Sequence, residues 1–234
     1  MLHVDGLTKK YGRVTANDNL QFSVPTGAVT VLAGPNGAGK STAIKAMAGL
    51  LRFSGSVTIG GYPNKSMEAK RMLGYVPETP AVYGLLTVDE HMEFMARAYQ
   101  LPDGWKERAN MLLERFEMDD KRKKLGKELS KGMQQKVSLC CALLTEPKVL
   151  LVDEPMVGLD PHAIKTLKQA LLEERGRGTA ILISTHLLDS VEDIWDRLLI
   201  LVQGKIAAER EKQQMLNSGE SLEALFFAVT EGVR

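Results

Sequence analysis

The stretch GPNGAGKST, residues 34–42, combines three glycines with a lysine and two hydroxyl side chains. It fits the pattern G-x-x-x-x-G-K-[ST] and lies between an apolar run, AVTVLA, and a helical run, TAIKAMAGL. Backbone N–H groups of such a loop can surround phosphate oxygens, Lys40 can reach the β- and γ-phosphates, and Ser41 can offer a hydroxyl to Mg²⁺. The predicted phosphate-binding residues are Gly34, Pro35, Asn36, Gly37, Ala38, Gly39, Lys40, Ser41 and Thr42.

Two adjacent carboxylates end the apolar segment VLLVDEP, residues 149–155. Successive side chains of a strand point to opposite faces, so Asp153 and Glu154 are expected to have different roles. Phosphoryl transfer needs both charge neutralisation and an aligned nucleophile, which assigns Asp153 to the Mg²⁺ shell and Glu154 to activation of the attacking water. Without the glycine-rich loop, the segment would be interpreted as a plain strand end with solvated acids.

Two further positions favour contact with an anion. His186 follows the apolar run TAILIST, and the carboxyl ends of parallel strands are where α/β sheets bind ligands. We therefore predict that His186 contacts the γ-phosphate, although a lone histidine there is more often a solvated or capping residue. The segment LSKGMQQK, residues 129–136, opens a helical run with Ser130, as expected of a helix N-terminus that meets an anion.

The elements that must position these residues follow from the apolar pattern. Strands are predicted at residues 19–24, 28–33, 148–154, 179–185 and 197–202. Their uniform apolarity and the helical runs between the last three predict a mostly parallel sheet covered on both faces. Glycine-rich turns in SVTIGGYPN, residues 56–64, indicate a small antiparallel layer. A helical pattern from Thr87 to Met118 opens with Thr87 and Glu90 in capping-box spacing.

The predicted fold is therefore α/β: a P-loop NTPase core with a mostly parallel sheet, an N-terminal antiparallel β layer and a helical subdomain. We expect one domain over residues 1–234. Its parts are a nucleotide-binding core with the β layer (1–77 and 148–210), a helical subdomain with the helix of LSKGMQQK (78–147) and a C-terminal helical tail (211–234).

Composition excludes several classes of function. Thirty Lys plus Arg against 29 Asp plus Glu give a net charge of +1, so no overall field draws the chain to nucleic acid or anionic lipid. Adjacent Cys140 and Cys141 suit neither a disulfide framework nor a metal site, and they indicate a reducing compartment. The longest aliphatic clusters, VLLV and LLILV, are too short to span a membrane. We expect a cytosolic chain, at most peripheral to a membrane.

The order GPNGAGKST, YVPE, LSKGMQQK, VLLVDEP, GLDP and STH resembles the nucleotide-binding subunit of ATP-binding cassette (ABC) transporters, over about residues 2–228. The LSKGM element, which lies 20 residues before VLLVDEP, is specific to that family. Together with Glu78 after YVP, it is similar to the single-domain cassettes of bacterial ABC-2-type exporters. The resemblance implies an ATPase that uses ATP and Mg²⁺ and powers a separate integral membrane transporter subunit, for export, from the cytoplasmic face of the membrane.

The resemblance also implies a partner cassette. Two copies, expected to form a homodimer, would pack head to tail, so that Ser130 and Gly132 of one hold the γ-phosphate on the P-loop of the other. Asp160, in GLDPH, would link the two nucleotide sites. Alone, Asp160 would be interpreted as a helix N-cap before Pro161, and it can serve as both.

Two more positions carry over from the family. Tyr11 matches the aromatic residue that stacks on adenine, although the residues alone allow a turn residue packed on the β layer equally well. Glu78 stands where the family most often has a glutamine that senses Mg²⁺ and the transmembrane partner. Glutamate retains an acceptor oxygen and adds a negative charge beside the metal.

The sequence leaves two rival functions open. One is a soluble cassette of DNA repair or translation, although the sequence lacks the second cassette, coiled coil and zinc-binding cysteines usual there. The other is a P-loop kinase or GTPase, which would leave LSKGMQQK without a purpose. For the transporter subunit, we expect the membrane partner to dock near residues 78–91, where Tyr83, Leu85 and Leu86 follow one another closely. The plainer alternative is that these three pack into the subdomain core.

Overall fold

The computed structural model describes residues 1–218 and 221–231. An antiparallel sheet near the N-terminus has the strand order β2-β1-β4-β5 and consists of β1 (Leu2–Tyr11), β2 (Val14–Val24), β4 (Ser54–Ile59) and β5 (Tyr62–Pro63). The start of β1 alternates, with Leu2 and Val4 buried and the residues after each of them exposed, because one face packs on the core. The predicted antiparallel layer is confirmed. The strand expected at 19–24 is the second half of the longer β2.

A second sheet has the order β10-β9-β3-β8-β7-β6. Its strands are β3 (Val29–Ala33), β6 (Leu73–Val76), β7 (Val149–Asp153), β8 (Ala180–Thr185), β9 (Arg197–Val202) and β10 (Lys205–Glu211). All pairings are parallel except that of β10 with β9. Strands β3, β7 and β8 are buried at every residue, because apolar layers cover both faces. The predicted α/β class with a mostly parallel sheet is confirmed.

The helices are α1 (Lys40–Met47), α2 (Met67–Arg71), α3 (Val88–Ala98), α4 (Trp105–Arg115), α5 (Lys131–Leu144), α6 (Pro161–Gly176), α7 (Lys212–Ser218) and α8 (Leu222–Glu231). The predicted capping box is confirmed, since Thr87 accepts a hydrogen bond from the Glu90 amide and Glu90 from that of Thr87. The helical pattern of residues 87–118 forms two helices, because Pro102 and the left-handed Gly104 (φ 99°) interrupt it.

The C-terminal segment predicted as a helical tail contains α7 and α8, while residues 219, 220 and 232–234 of that prediction lie outside the described residues. Within the described ranges, we find no helix with the length and apolarity needed to cross a membrane.

Parallel strands bring three chemically active segments to one edge of the second sheet. The glycine-rich loop follows β3, Asp153 ends β7, and His186 follows β8. Strand β8 lies between the other two and pairs Ala33 with Thr185 and Asp153 with Ser184. The carboxyl edge of the sheet is therefore where these side chains meet.

Candidate nucleotide site

The glycine-rich loop passes so close to its neighbours that side chains are excluded at two positions. A Cβ on Gly34 would lie 2.3 Å from the carbonyl oxygen of Leu201, and one on Gly39 would lie 2.3 Å from that of Ala16. Gly39 is also left-handed, with φ 104°, and is the N-cap of α1. No side chain caps this helix, and its first turn contains no acidic residue, so its N–H groups are free to meet an anion.

Lys40 is buried at the start of α1. Its Nζ donates to the carbonyl oxygens of Gly34 at 2.8 Å and Pro35 at 3.3 Å, and lies 3.5 Å from Oε1 of Glu154. The ammonium group is therefore folded back over its own loop and faces the carboxylate of Glu154, which follows β7. These contacts hold a positive charge at the point where the loop can receive phosphate oxygens.

Asp153 is fully buried at the end of β7. Its Oδ1 accepts hydrogen bonds from Ser41 Oγ at 3.0 Å and Ser184 Oγ at 2.5 Å, whereas its Oδ2 is buried without a partner in the described structure. Burial raises the pKa of Asp153, and the Glu78 charge adds to this, while the two hydroxyl hydrogen bonds oppose it. A free carboxylate oxygen beside the Ser41 hydroxyl is a donor set that suits Mg²⁺.

Within residues 1–218 and 221–231, no group of three or more His, Cys, Asp or Glu side chains forms a metal site by itself. Mg²⁺ commonly takes only one or two carboxylates from a protein and completes its shell with water and phosphate oxygens. Asp153 and Ser41 fit that mode, in which the nucleotide brings the remaining ligands.

Glu154 leaves the strand in a left-handed conformation with φ 47°, which costs a non-glycine residue about 1–3 kcal/mol. Its amide donates to Ser184 Oγ at 3.0 Å and to the Ser184 carbonyl oxygen at 3.2 Å. Its Oε2 lies 3.0 Å from Nδ1 of His186. The expectation of opposite faces for Asp153 and Glu154 assumed that both continue the strand. Because β7 ends at Asp153, the separate environments of the two acids come from these contacts instead.

A cavity of about 340 Å³ lies above this edge of the sheet. The residues that line it are Ala16, Asn36, Gly37, Gly39, Lys40, Ser41, Thr42, Glu78, Glu154 and His186. Eight of these ten come from the predicted loop or the predicted acids and histidine, and Glu78 is the ninth. Ala16 was not predicted, because its approach to Gly39 depends on how the antiparallel sheet packs against the loop, and no local pattern marks it.

Four predicted residues are placed away from this cavity. Tyr11 is half exposed at the end of β1, with Lys9 Nζ 4.6 Å from its ring centroid. Ser130 is exposed and caps α5, where its Oγ accepts from the Met133 amide at 3.3 Å. Within one chain, the helix end capped by Ser130 therefore lies apart from the cavity that the glycine-rich loop lines.

The other two, Gly132 and Asp160, lie on segments that contact each other. A Cβ on Gly132 would lie 2.8 Å from the Gly158 carbonyl oxygen, so α5 packs directly on the loop before α6. Asp160, at the end of that loop, accepts from the Ala163 amide through Oδ1 at 2.8 Å and is the N-cap of α6. The amide hydrogen bond is the main reason why the pKa of Asp160 is lowered.

Comparison with known proteins identifies the class that this fold and site define. Residues 17–157 match the family described as ABC transporter. A relative from Bacillus subtilis, the ABC-type transporter ATP-binding protein EcsA, is 37% identical over 212 residues, which cover 89% of this chain and 86% of the relative. The lantibiotic transport ATP-binding protein SrtF of Streptococcus pyogenes is 34% identical over 227 residues, covering 97% and 96%.

A solved structure of an ATP-binding subunit of an ABC transporter superimposes with a TM-score of 0.92 at 35% identity, over 98% of this chain and 99% of that one. The chain belongs to the ATP-binding cassettes of ABC transporters. It is an ATP-hydrolysing subunit of such a transporter, and the resemblance predicted from the motif order is confirmed. The relatives favour this function over a cassette of DNA repair or translation.

Proposed function

We propose that two copies of this chain hydrolyse MgATP at sites that they share, and that closure and opening of the pair move a separate membrane subunit. One observation carries the proposal. The cavity contains Lys40, Ser41 and Glu154, whereas the exposed helix end capped by Ser130 lies elsewhere on the same chain. A second copy in head-to-tail packing gives that helix end a phosphate to meet.

Each side chain of the cavity has a role that follows from its contacts. Lys40 exchanges its loop carbonyl partners for β- and γ-phosphate oxygens, and His186 meets the γ-phosphate. Glu154 accepts a hydrogen bond from the attacking water, because its carboxylate is held at the cavity by Lys40 and His186. Mg²⁺, when bound by Ser41 and Asp153 with Glu78 nearby, neutralises phosphate charge.

Adenine recognition is assigned to Tyr11. Its ring is half exposed at the rim of the antiparallel sheet, so a flat base can stack on it. In the shared site, Ser130 and Gly132 hold the γ-phosphate of the other copy, and Asp160 lies between the two sites. The α5 N-terminus has no acidic residue in its first turn, which suits this role.

The membrane subunit docks at residues 78–91 in this proposal. Tyr83 and Leu85 are 56% and 78% exposed, which opposes the alternative that these two pack into the subdomain core, whereas Leu86 is half-buried. The Tyr83 amide donates to His91 Nε2 at 2.8 Å, and its ring meets Phe94 edge-on at 5.3 Å. Because Glu78 lines the nucleotide cavity at the other end of the segment, a movement there can report the nucleotide state to the partner.

The proposal also covers the location of the chain and the cargo of the transporter. We place the chain at the cytoplasmic face of the membrane as a peripheral subunit, with no nucleic acid partner. Export is the proposed direction, and a peptide is the proposed class of cargo, since the relative SrtF is named for lantibiotic transport.

ATP-driven association tests the proposal. Glu154→Gln is expected to be monomeric without nucleotide and dimeric with MgATP in multi-angle light scattering, because slow hydrolysis preserves the closed pair. Lys40→Ala in the same background is the control and is expected to remain monomeric. A Glu154→Gln chain that remains monomeric in saturating MgATP contradicts the shared site.

A further inference from the structure

Lys136 is a buried lysine that the chemistry above leaves without a role. It lies on α5, in the same LSKGMQQK segment as Ser130, and only 9% of its surface is exposed. Its Nζ lies 3.2 Å from Oε2 of Glu117 and 3.6 Å from Oδ2 of Asp160. Burying an ammonium group is costly unless acidic partners compensate it, so the position of Lys136 depends on these two acids.

The two oxygens of the Asp160 carboxylate contact different partners. Its Oδ1 accepts from the Ala163 amide and begins α6, while its Oδ2 faces Lys136. The same two segments also meet where Gly132 packs on the Gly158 carbonyl oxygen. We call these two contacts, formed by Gly132 and Lys136 on one side and Gly158 and Asp160 on the other, the α5–α6 junction.

Glu117 brings a third segment to the junction. It follows α4 in a left-handed conformation with φ 57°, and its second oxygen lies 3.5 Å from Nδ1 of His162 on α6. Lys136 is therefore the cation on which the end of α4 and the loop before α6 converge. None of these residues lines the nucleotide cavity of its own chain.

We propose that Lys136 is a positioning residue that joins the segment 130–132 to the loop 157–160, so that one rigid surface meets the second copy. This inference rests on the proposed dimer. In that dimer, Ser130, Gly132 and Asp160 all face the other chain and must keep a fixed spacing. A surface that is ordered before association loses less entropy when the dimer forms, so Lys136 strengthens dimerisation without touching nucleotide in its own chain.

The test compares two equilibria in the Glu154→Gln background. Lys136→Met removes the ammonium group and retains most of the apolar stem. We expect it to raise the dimer dissociation constant in MgATP about tenfold, as loss of a charged hydrogen bond implies. The affinity of the monomer for a fluorescent ATP analogue, measured at concentrations below dimerisation, is expected to be unchanged. Lys136→Arg is expected to restore the parent dimer.

Arg115→Met provides a matched control. The Arg115 guanidinium pairs with both oxygens of Glu173, at 2.6 and 3.0 Å, and also joins α4 to α6, but away from the junction. If every ion pair among α4, α5 and α6 contributed equally to dimerisation, Arg115→Met would weaken the dimer as much as Lys136→Met. We expect the parent dissociation constant instead.

A second variant serves if Lys136→Met does not fold. Glu117→Gln removes one acidic partner of Lys136 from an exposed position, and we expect it to weaken the dimer in the same direction. Parent-like dimers in both variants overturn the positioning role and leave the proposed function standing. Equal loss of monomer nucleotide affinity also overturns it. A Glu154→Gln parent that never dimerises overturns the proposed dimer and this inference together.

Discussion

Nδ1 of His186 lies 3.0 Å from Oε2 of Glu154, so the histidine and the acid at the ends of neighbouring parallel strands form one hydrogen-bonded unit. An ionised carboxylate only accepts hydrogen bonds, so Nδ1 is the donor in this contact, and the His186 backbone N–H also donates to Oε2 at 3.4 Å. The other carboxylate oxygen lies 3.5 Å from Lys40 Nζ. Glu154 is therefore held between the phosphate-binding lysine and the histidine before any nucleotide binds.

Replacing Glu154 by Gln removes the base while retaining the size of the side chain. We expect ATP turnover to fall about 10²-fold or more, whereas the affinity for MgATP remains within about threefold of the parent value. Phosphate release under saturating ATP and nucleotide binding in titration calorimetry check the two halves. Parent turnover in this variant would exclude Glu154 as the activating residue.

Replacing Asp153 by Asn removes the charge of the carboxylate whose Oδ2 is buried without a partner. We expect the affinity for Mn²⁺ in the presence of a non-hydrolysable ATP analogue to fall about tenfold or more, as measured by paramagnetic resonance of the free ion. Asp103→Asn, in the exposed turn between α3 and α4, is the control and should bind Mn²⁺ normally. Equal Mn²⁺ affinity in the two variants would exclude Asp153 as a ligand.

The two cysteines are predicted to be unreactive in the folded chain. Burial raises the pKa of Cys141 to about 12 and that of Cys140 well above its usual value, so both thiols remain neutral at pH 8. In the unfolded chain, thiols ionise near about pH 8.5. We therefore expect slow alkylation by iodoacetamide in buffer and fast alkylation in guanidinium. The same difference lowers stability as pH rises from about 8.5 towards 12. Fast labelling of the native chain at pH 8 would contradict this.

Replacing Tyr83 and Leu85 by Ser tests the docking segment. We expect weaker recovery of the chain with membranes that contain its transporter subunit, because both side chains are exposed apolar groups on the segment that begins at the cavity residue Glu78. ATP binding by the isolated chain should be unchanged. Met111→Ser, at a methionine that is 63% exposed on α4, controls for a general loss of apolar surface. Equal loss of recruitment and ATP binding would assign Tyr83 and Leu85 a structural role.

Local patterns were sufficient for much of the fold and cavity. The apolar runs predicted β3, β7, β8 and β9 to within one residue at each end, and the glycine-rich loop supplied most of the cavity lining. These features depend on neighbouring residues in the chain. Pro102 and Gly104 also indicate the break between α3 and α4, but the helical periodicity continues on both sides of them.

Other features depend on packing between distant segments. The left-handed turn at Glu154 follows from hydrogen bonds to Ser184 on the adjacent strand. The contact of Ala16 with the loop and the pairing of Lys136 with Glu117 join residues that are distant in the sequence. No periodicity or motif marks such contacts, because they are set by how the layers meet.

Mixing two inactive chains tests the shared site most directly. Lys40→Ala lacks the phosphate-binding lysine, and Ser130→Ala lacks the cap of the α5 helix end, so each homodimer has two defective sites. In a mixed dimer, one site combines intact Lys40 with intact Ser130, and the other has both defects. We predict that ATP hydrolysis recovers when the two purified chains are mixed, up to part of the parent rate. No recovery, under conditions where light scattering shows mixed dimers, would contradict a site shared between two chains.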